Sequence, residues 1–255
     1  MRIFPTKSKK ASPRSVGTPI RYHGGPVMTN PIIDVIWYGN WTGNNATTII
    51  EKFLRDLGST AWWNITREYN YTAPIVFGSS ITDYYSKGTY LSRWGIETLI
   101  YRVTDDGSLP RDTNGIYLVL ASADVSAWSF CTWYCGWHTY SVWYDLKYSF
   151  VGNPEQCPSL CSFQMVTPND NFAADSMITV IAHELAEAVT DPRLDAWYDS
   201  NCDENADKCA WMFQPMDVLP NGAYYNMVIN DTKYLVQENW RLSTQDCGMS
   251  LNTID

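Results

Sequence analysis

His183, Glu184 and Glu187 stand in one uninterrupted stretch, M-I-T-V-I-A-H-E-L-A-E-A-V-T-D-P, running from Met177 to Pro192. A histidine and a carboxylate four residues apart share one face of a helix, so both can reach one ion. Glu184 lies about 100° further round the helix, beside that ion rather than aimed at it. This is the place of the general base in H-E-x-x-H metallohydrolases, with Glu187 standing where the second histidine would be. The chemistry this suggests is cation-assisted hydrolysis of a peptide, amide or ester. The competing reading is a buried His183–Glu187 ion pair with no metal and Glu184 at the surface.

The stretch itself predicts a helix. Good helix formers and small apolar residues fill it, with Asp175 or Ser176 as cap and Pro192 forcing a stop at Asp191. Thr179, His183, Glu187 and Asp191 recur every fourth residue among Met177, Ile178, Val180, Ile181, Leu185 and Val189. A polar stripe on so apolar a helix is costly to bury unless something neutralises it, and a cation would.

The other elements follow from local pattern. Ile32–Tyr38 and Pro74–Thr82 read as strands, and Gly115–Ser122 as a central strand buried on both faces. Thr47–Leu57 and Leu91–Val103 read as helices, the first capped by Thr47 or Thr48 and stopped by Gly58. Asn230-Asp231 marks a closing hairpin within Ala223–Trp240. Together these predict one α+β domain over 22–255: a mixed sheet, the H-E-x-x-E helix and cysteine-stapled loops.

Composition narrows the compartment. Six of the 18 Lys and Arg residues fall in 1–33 with no acid among them, so the body is more acidic than the net −9. An acidic body argues against nucleic acid as a partner. Residues 1–21, poor in apolar side chains, read as a disordered basic arm. Seven cysteines, Cys131, Cys135, Cys157, Cys161, Cys202, Cys209 and Cys247, fall in three close pairs with one over. The first six are the disulfide candidates, with connectivity left open. Five N-x-S/T sequons, at Asn40, Asn45, Asn64, Asn70 and Asn230, are glycosylation candidates. Paired cysteines and sequons predict a secreted glycoprotein. The first residues lack an apolar signal core, which implies a mature or trimmed chain. No apolar run is long enough to span a membrane.

The motifs Y-H-G-G-P-V, I-W-Y-G-N-W, S-K-G, G-I-Y-L-V-L, C-x3-C-G-W-H, F-V-G-N-x-x-Q-C-P-x-x-C, I-A-H-E-L-A-E-A-V-T-D-P and Y-L-V-Q stand in the order found in the Exordium, or phosphate-induced protein 1, family. The resemblance covers roughly residues 22–240. It implies a secreted protein of the cell wall or apoplast, linked to growth, and supplies no reaction. Cys202 and Cys247, the many sequons and the basic head depart from the plant pattern, leaving Cys247 free or paired between chains.

Only three histidines occur, His23, His138 and His183, each inside one of these motifs. His23 and His138 are either structural or converge on the His183 site, where His138 or a tyrosine would steady an oxyanion. A third ligand comes from Asp191 or from the acidic segment C-D-E-N-A-D-K-C, which is otherwise a solvated loop. Similarity to thermolysin-like zincins favours Glu204 as that ligand, with Asp207 orienting the ligating histidine. The expected set is therefore His183, Glu187 and Glu204 around zinc, with manganese, iron or calcium as alternatives. Asp207 and Asp191 would stand behind it. The alternative function is a non-catalytic matrix protein whose aromatic surface, drawn from 12 Trp and 17 Tyr, binds glycans or further copies of itself.

Overall fold

The computed structural model describes residues 2–5, 18–71 and 73–251. Six strands form one mixed sheet: β1 (Arg2–Pro5), β2 (Ile32–Tyr38), β3 (Val76–Asp83), β4 (Gly115–Ala121), β5 (Tyr134–Tyr140) and β6 (Lys147–Val151), in the spatial order β1-β5-β6-β4-β2-β3. β2 pairs in parallel with both β3 and β4, and β4 in parallel with β6. β5 then runs antiparallel to β6, and β1 antiparallel to β5. All seven residues of β4 are buried, as its unbroken apolar run requires of a strand covered on both faces.

Helices α1 (Ala46–Leu57), α2 (Arg93–Asp105), the short α3 (Pro158–Cys161), α4 (Phe172–Thr190) and the short α5 (Asn205–Lys208) complete the frame. α1 buries Ile50, Phe53, Leu54 and Leu57 on one face, as the spacing predicts, but Asn45 rather than a threonine is its cap residue. Ser92 caps α2 by accepting a hydrogen bond from the Gly95 amide. The hairpin Met227–Ile229/Thr232–Tyr234 turns at Asn230 and Asp231, both at positive φ, the conformation a two-residue turn of this type needs.

α4 is the centre of the molecule. It packs against β1, β5 and β6, and against α1 and α5 on other sides. Every residue from Ala173 to Thr190 is buried, as expected for a helix that is apolar nearly all round. It ends at Asp191, before Pro192, but begins five residues earlier than Met177. Asn171, not Asp175 or Ser176, is the cap: its Oδ1 accepts from the Ala174 amide at 2.9 Å. Asp175 instead accepts from the Asn169 amide, and Ser176 donates to Ser162. Gly136 on β5 lets the helix lie this close. A Cβ there would stand 2.6 Å from Val180 Cγ1 and 3.1 Å from Glu184 Oε1. Gly136→Ala is therefore expected to cost about 1–3 kcal/mol by overpacking. Unchanged thermal unfolding of that variant would contradict this packing.

Two expectations need correction. The basic arm is not irregular throughout: Arg2–Pro5 adds the edge strand β1, with Phe4 opposite Gly136. Residues 6–17 of that arm lie outside the described residues. Disulfides join Cys131–Cys157, Cys135–Cys161 and Cys209–Cys247. Cys202 is thus the free, exposed thiol, and Cys247 is bonded. No close sequence pair is a bond: Cys157 and Cys161, at the two ends of α3, bond instead to Cys131, before β5, and Cys135, at its start.

Candidate metal centre

Three elements deliver ionisable side chains to one point under the sheet edge. α4 supplies His183, Glu184 and Glu187, β5 supplies His138, and the segment at α5 supplies Glu204 and Asp207. The first five of these are at most 1% exposed and Asp207 is 7% exposed.

His183 Nε2 lies 3.0 Å from Glu187 Oε1 and 3.7 Å from Asp207 Oδ1. Its Nδ1 lies 3.2 Å from Gln237 Oε1. Gln237 is fixed by its own amide, which donates to the Ala206 carbonyl at 2.8 Å, so its oxygen must face the histidine. His183 Nδ1 therefore donates to Gln237, and Nε2 faces the carboxylates. Glu187 Oε1 also accepts from the Asp207 amide at 2.9 Å, tying α5 to α4. Asp207 Oδ2 accepts from the Glu204 amide at 3.3 Å, which leaves Oδ1 for His183.

His138 enters from the strand side. Its Nδ1 is 3.1 Å from Glu184 Oε2 and 3.4 Å from Glu187 Oε2, and its Nε2 is 3.7 Å from Glu204 Oε1. Burial pushes its pKa below the usual range, against the pull of Glu187, so the ring is neutral at pH 7. Burial, and then the Glu187 and Asp207 carboxylates, hold Glu184 well above the ordinary carboxyl range. Glu184 Oε1 accepts from the Phe4 amide at 3.2 Å, and the Phe4 ring stands edge-on to His183 at 4.5 Å between centroids. β1 is thus the roof of the site.

The remaining sequence candidates fall as follows. Asp191 caps the end of α4, and its Oδ1 accepts from the Asp195 and Ala196 amides at 2.6 and 2.7 Å. This shapes the loop after the helix. His23 lies apart, exposed, stacked on Tyr198 at 3.7 Å. Asn40, Asn45, Asn70 and Asn230 are exposed and Asn64 is half-buried. Gln237 and Phe4 were not foreseen. The first sits in the Y-L-V-Q motif, a polar residue closing an apolar run, which was the one available signal.

Among the described residues two groups have ligand atoms close enough to share an ion: His183 with Glu187 and Asp207, and His138 with Glu187 and Glu204. The expected set His183, Glu187, Glu204 is thus gathered into one cluster, but Asp207 stands nearer His183 and Glu204 nearer His138. Deprotonated oxygens and neutral imidazoles suit a divalent cation, and nothing in the donor set singles out zinc.

A family profile for the phosphate-induced protein 1 conserved region matches residues 20–250. The chain is 30% identical to Protein EXORDIUM-like 3 of Arabidopsis thaliana, over 91% of this chain and 83% of that protein. It is likewise 30% identical to Protein EXORDIUM-like 5 of the same plant, over 98% and 82%. Protein PHOSPHATE-INDUCED 1 of Nicotiana tabacum is 26% identical over 90% of this chain and 87% of its own. No solved structure matches. The profile spans the whole described fold from residue 20, including β5, α4 and the α5 segment, so the chain that builds this buried cluster belongs to the phosphate-induced protein 1, or Exordium, family.

Proposed function

We propose that this is a secreted, wall- or matrix-associated protein that hydrolyses peptide, amide or ester bonds at a buried divalent-cation centre. One observation carries the reading. Two histidines and four carboxylates from three elements meet in an interior where unneutralised charge is expensive. Bound there by His183, Glu187 and the Glu204–Asp207 segment, a divalent cation supplies Lewis-acid polarisation of a carbonyl. The chain's own part is proton handling and access. Glu184, beside the ligands, takes a proton from the attacking water, and His138 across 3.1 Å steadies the charge that moves. Phe4 closes the site, so substrate enters when β1 lifts from the edge of β5.

Three disulfides, exposed sequons and family membership support secretion. Among the described residues no helix is long and apolar enough to cross a membrane. A second reading draws on Trp94, Trp128 and Trp133, which are more than half exposed, with the Arg93 guanidinium 5.2 Å from the Trp128 ring. Such a surface suits glycan or self-association in a non-catalytic matrix protein.

The experiment is metal analysis of purified wild type and His183→Ala, followed by peptide and ester hydrolysis by Glu184→Gln. Metal in the wild type, lost in His183→Ala, is expected. With metal retained, Glu184→Gln should lose about 10²-fold or more in rate. Equal metal in both proteins removes the centre. Wall-glycan binding that survives Glu184→Gln, with no hydrolysis by the wild type, moves the function to the aromatic surface.

A further inference from the structure

We propose that the edge of β5 is a binding site for extended peptides, and that the bond cut is the one before an aromatic residue seated where Phe4 sits. This deepens the hydrolytic reading by naming the substrate class. The cleavage rests on that reading, and the capture of the peptide does not.

β1 shows the fit from within the chain. Arg2–Pro5 lies antiparallel on β5, with Arg2 opposite His138 and Phe4 opposite Gly136. A strand added in this way uses main-chain groups that any extended peptide carries, so preference comes from the pockets its side chains meet. One pocket is well defined. A Cβ on Gly136 would point at Val180 and Glu184, so this face of the sheet looks onto α4. Phe4, directly opposite, has its side chain on the same face and is 0% exposed. Its ring stands edge-on to His183 at 4.5 Å and tilted against Trp211 at 4.9 Å. Such edge and tilted contacts favour an aromatic ring beyond its apolar area alone. An acidic side chain there would forfeit them and meet an interior that solvates charge poorly.

The backbone register selects the bond. The Phe4 amide donates to Glu184 Oε1 at 3.2 Å. That nitrogen belongs to the Ile3–Phe4 peptide bond. The carboxylate that handles the water's proton therefore lies against the nitrogen that hydrolysis of this bond releases. His138 Nδ1, 3.1 Å from Oε2, holds the other oxygen of the same carboxylate, so Oε1 is the one on the peptide side. In a peptide seated in this register, the hydroxyl of water adds to the carbonyl carbon before the aromatic residue. The C–N bond breaks, and the water's proton passes through Glu184 to the leaving nitrogen. One water is consumed, and a carboxyl group and an amine are formed. β1 is also built to give way. Its register slips between Phe4 and Pro5, and Pro5 has no N–H with which to continue the ladder. The chain's own segment thus competes with substrate for the edge, and weakening it raises the apparent affinity for a peptide.

Binding is measured on the full chain and on Phe4→Ala, by fluorescence anisotropy of a labelled, end-blocked Arg-Ile-Phe-Pro peptide and of the same peptide with Asp in place of Phe. Cleavage is measured separately, by mass spectrometry of a random peptide mixture incubated with the Zn²⁺-loaded or Mn²⁺-loaded wild type. Phe4→Ala should bind the Phe peptide about 10-fold more tightly than the wild type does. Both proteins should prefer the Phe peptide to the Asp peptide by about 10-fold or more. Cuts should fall before Phe, Tyr and Trp. Absence of binding by both proteins, or binding blind to the change from Phe to Asp, overturns the peptide site. Cuts placed without regard to aromatic residues overturn the register. Selective binding with no cuts upholds the peptide site and overturns the hydrolytic reading together with the bond assigned to it. Should Phe4→Ala fail to fold, the wild type's preference between the two peptides and its cleavage map still decide.

Discussion

Stripping the protein with EDTA should lower its melting temperature by about 10 °C, and restoring Zn²⁺ or Mn²⁺ should bring it back. The reason is the environment of Glu184, Glu187 and Glu204, each 0% exposed, with Asp207 at 7%. Carboxylates so placed either take up protons against their intrinsic preference or remain charged in a medium that solvates them poorly. Removing the compensating partner of a buried charge costs about 3–5 kcal/mol. For a domain of this size about 1 kcal/mol moves the melting temperature by about 2–4 °C, which gives about 6–20 °C. The loss should spread along the connections that tie the ligands together. The Asp207 amide bonds to Glu187, and Gln237 bonds to both His183 and the Ala206 carbonyl. Hydrogen exchange in the 204–210 segment should therefore quicken in EDTA before exchange in β4 does. An identical melting curve with and without EDTA, on protein first loaded with metal, would mean that hydrogen bonds within the protein already satisfy this cluster.

Much of the frame was legible because it is written locally. Ile32–Tyr38 is a strand at both of its predicted ends. The run from Gly115 is the fully buried central strand its composition demands. Asn230-Asp231 turns where two residues tolerant of positive φ adjoin. The helix carrying His183, Glu184 and Glu187 was also visible, since no Gly or Pro interrupts it before Pro192. Its start was misplaced because Phe172–Ala174 carry no period that separates helix from loop, and two plausible caps followed.

What local pattern lacks is pairing across the chain. β5, Y-C-G-W-H-T-Y, is aromatic with a glycine and a cysteine inside it, and β6, K-Y-S-F-V, is only five residues long, so neither stands out, and with β5 goes the placement of His138. Glu204 and Asp207 were candidates from acidity and proximity to the helix, yet sequence gives no means of assigning one to each histidine. Gln237 reaches His183 across 54 residues, and Phe4 reaches Glu184 across 180. The composition around residues 2–5 shows only a basic neighbourhood. Their strand exists because the edge of β5 offers unpaired backbone groups, which are a property of the folded sheet.

Reduction should be the most destructive single treatment. Cys131–Cys157 and Cys135–Cys161 each close a span of 26 residues, and Cys209–Cys247 one of 38. Loop-closure entropy puts the first bond across such a span at about 3–4 kcal/mol, a second, interleaved bond at somewhat less, and the longest at about 4 kcal/mol. Their sum is about 10 kcal/mol, comparable to the whole stability of an ordinary domain. The protein should therefore unfold at or near room temperature in strong reductant. The bonds also differ in what they hold. Cys135 lies three residues before His138 on β5, so its loss loosens the strand side of the cluster. Cys209 directly follows the segment carrying Glu204 and Asp207 and anchors it to the Asp246–Gly248 strand. The paired variant Cys209→Ser with Cys247→Ser should thus weaken metal retention more than Cys135→Ser with Cys161→Ser, at similar thermal cost. Cys202→Ser, at an exposed free thiol, should change stability by less than about 0.5 kcal/mol. Melting and metal content of the three proteins separate these effects. Full metal retention after loss of Cys209–Cys247 would show that contacts with α4 alone position the carboxylates of the α5 segment.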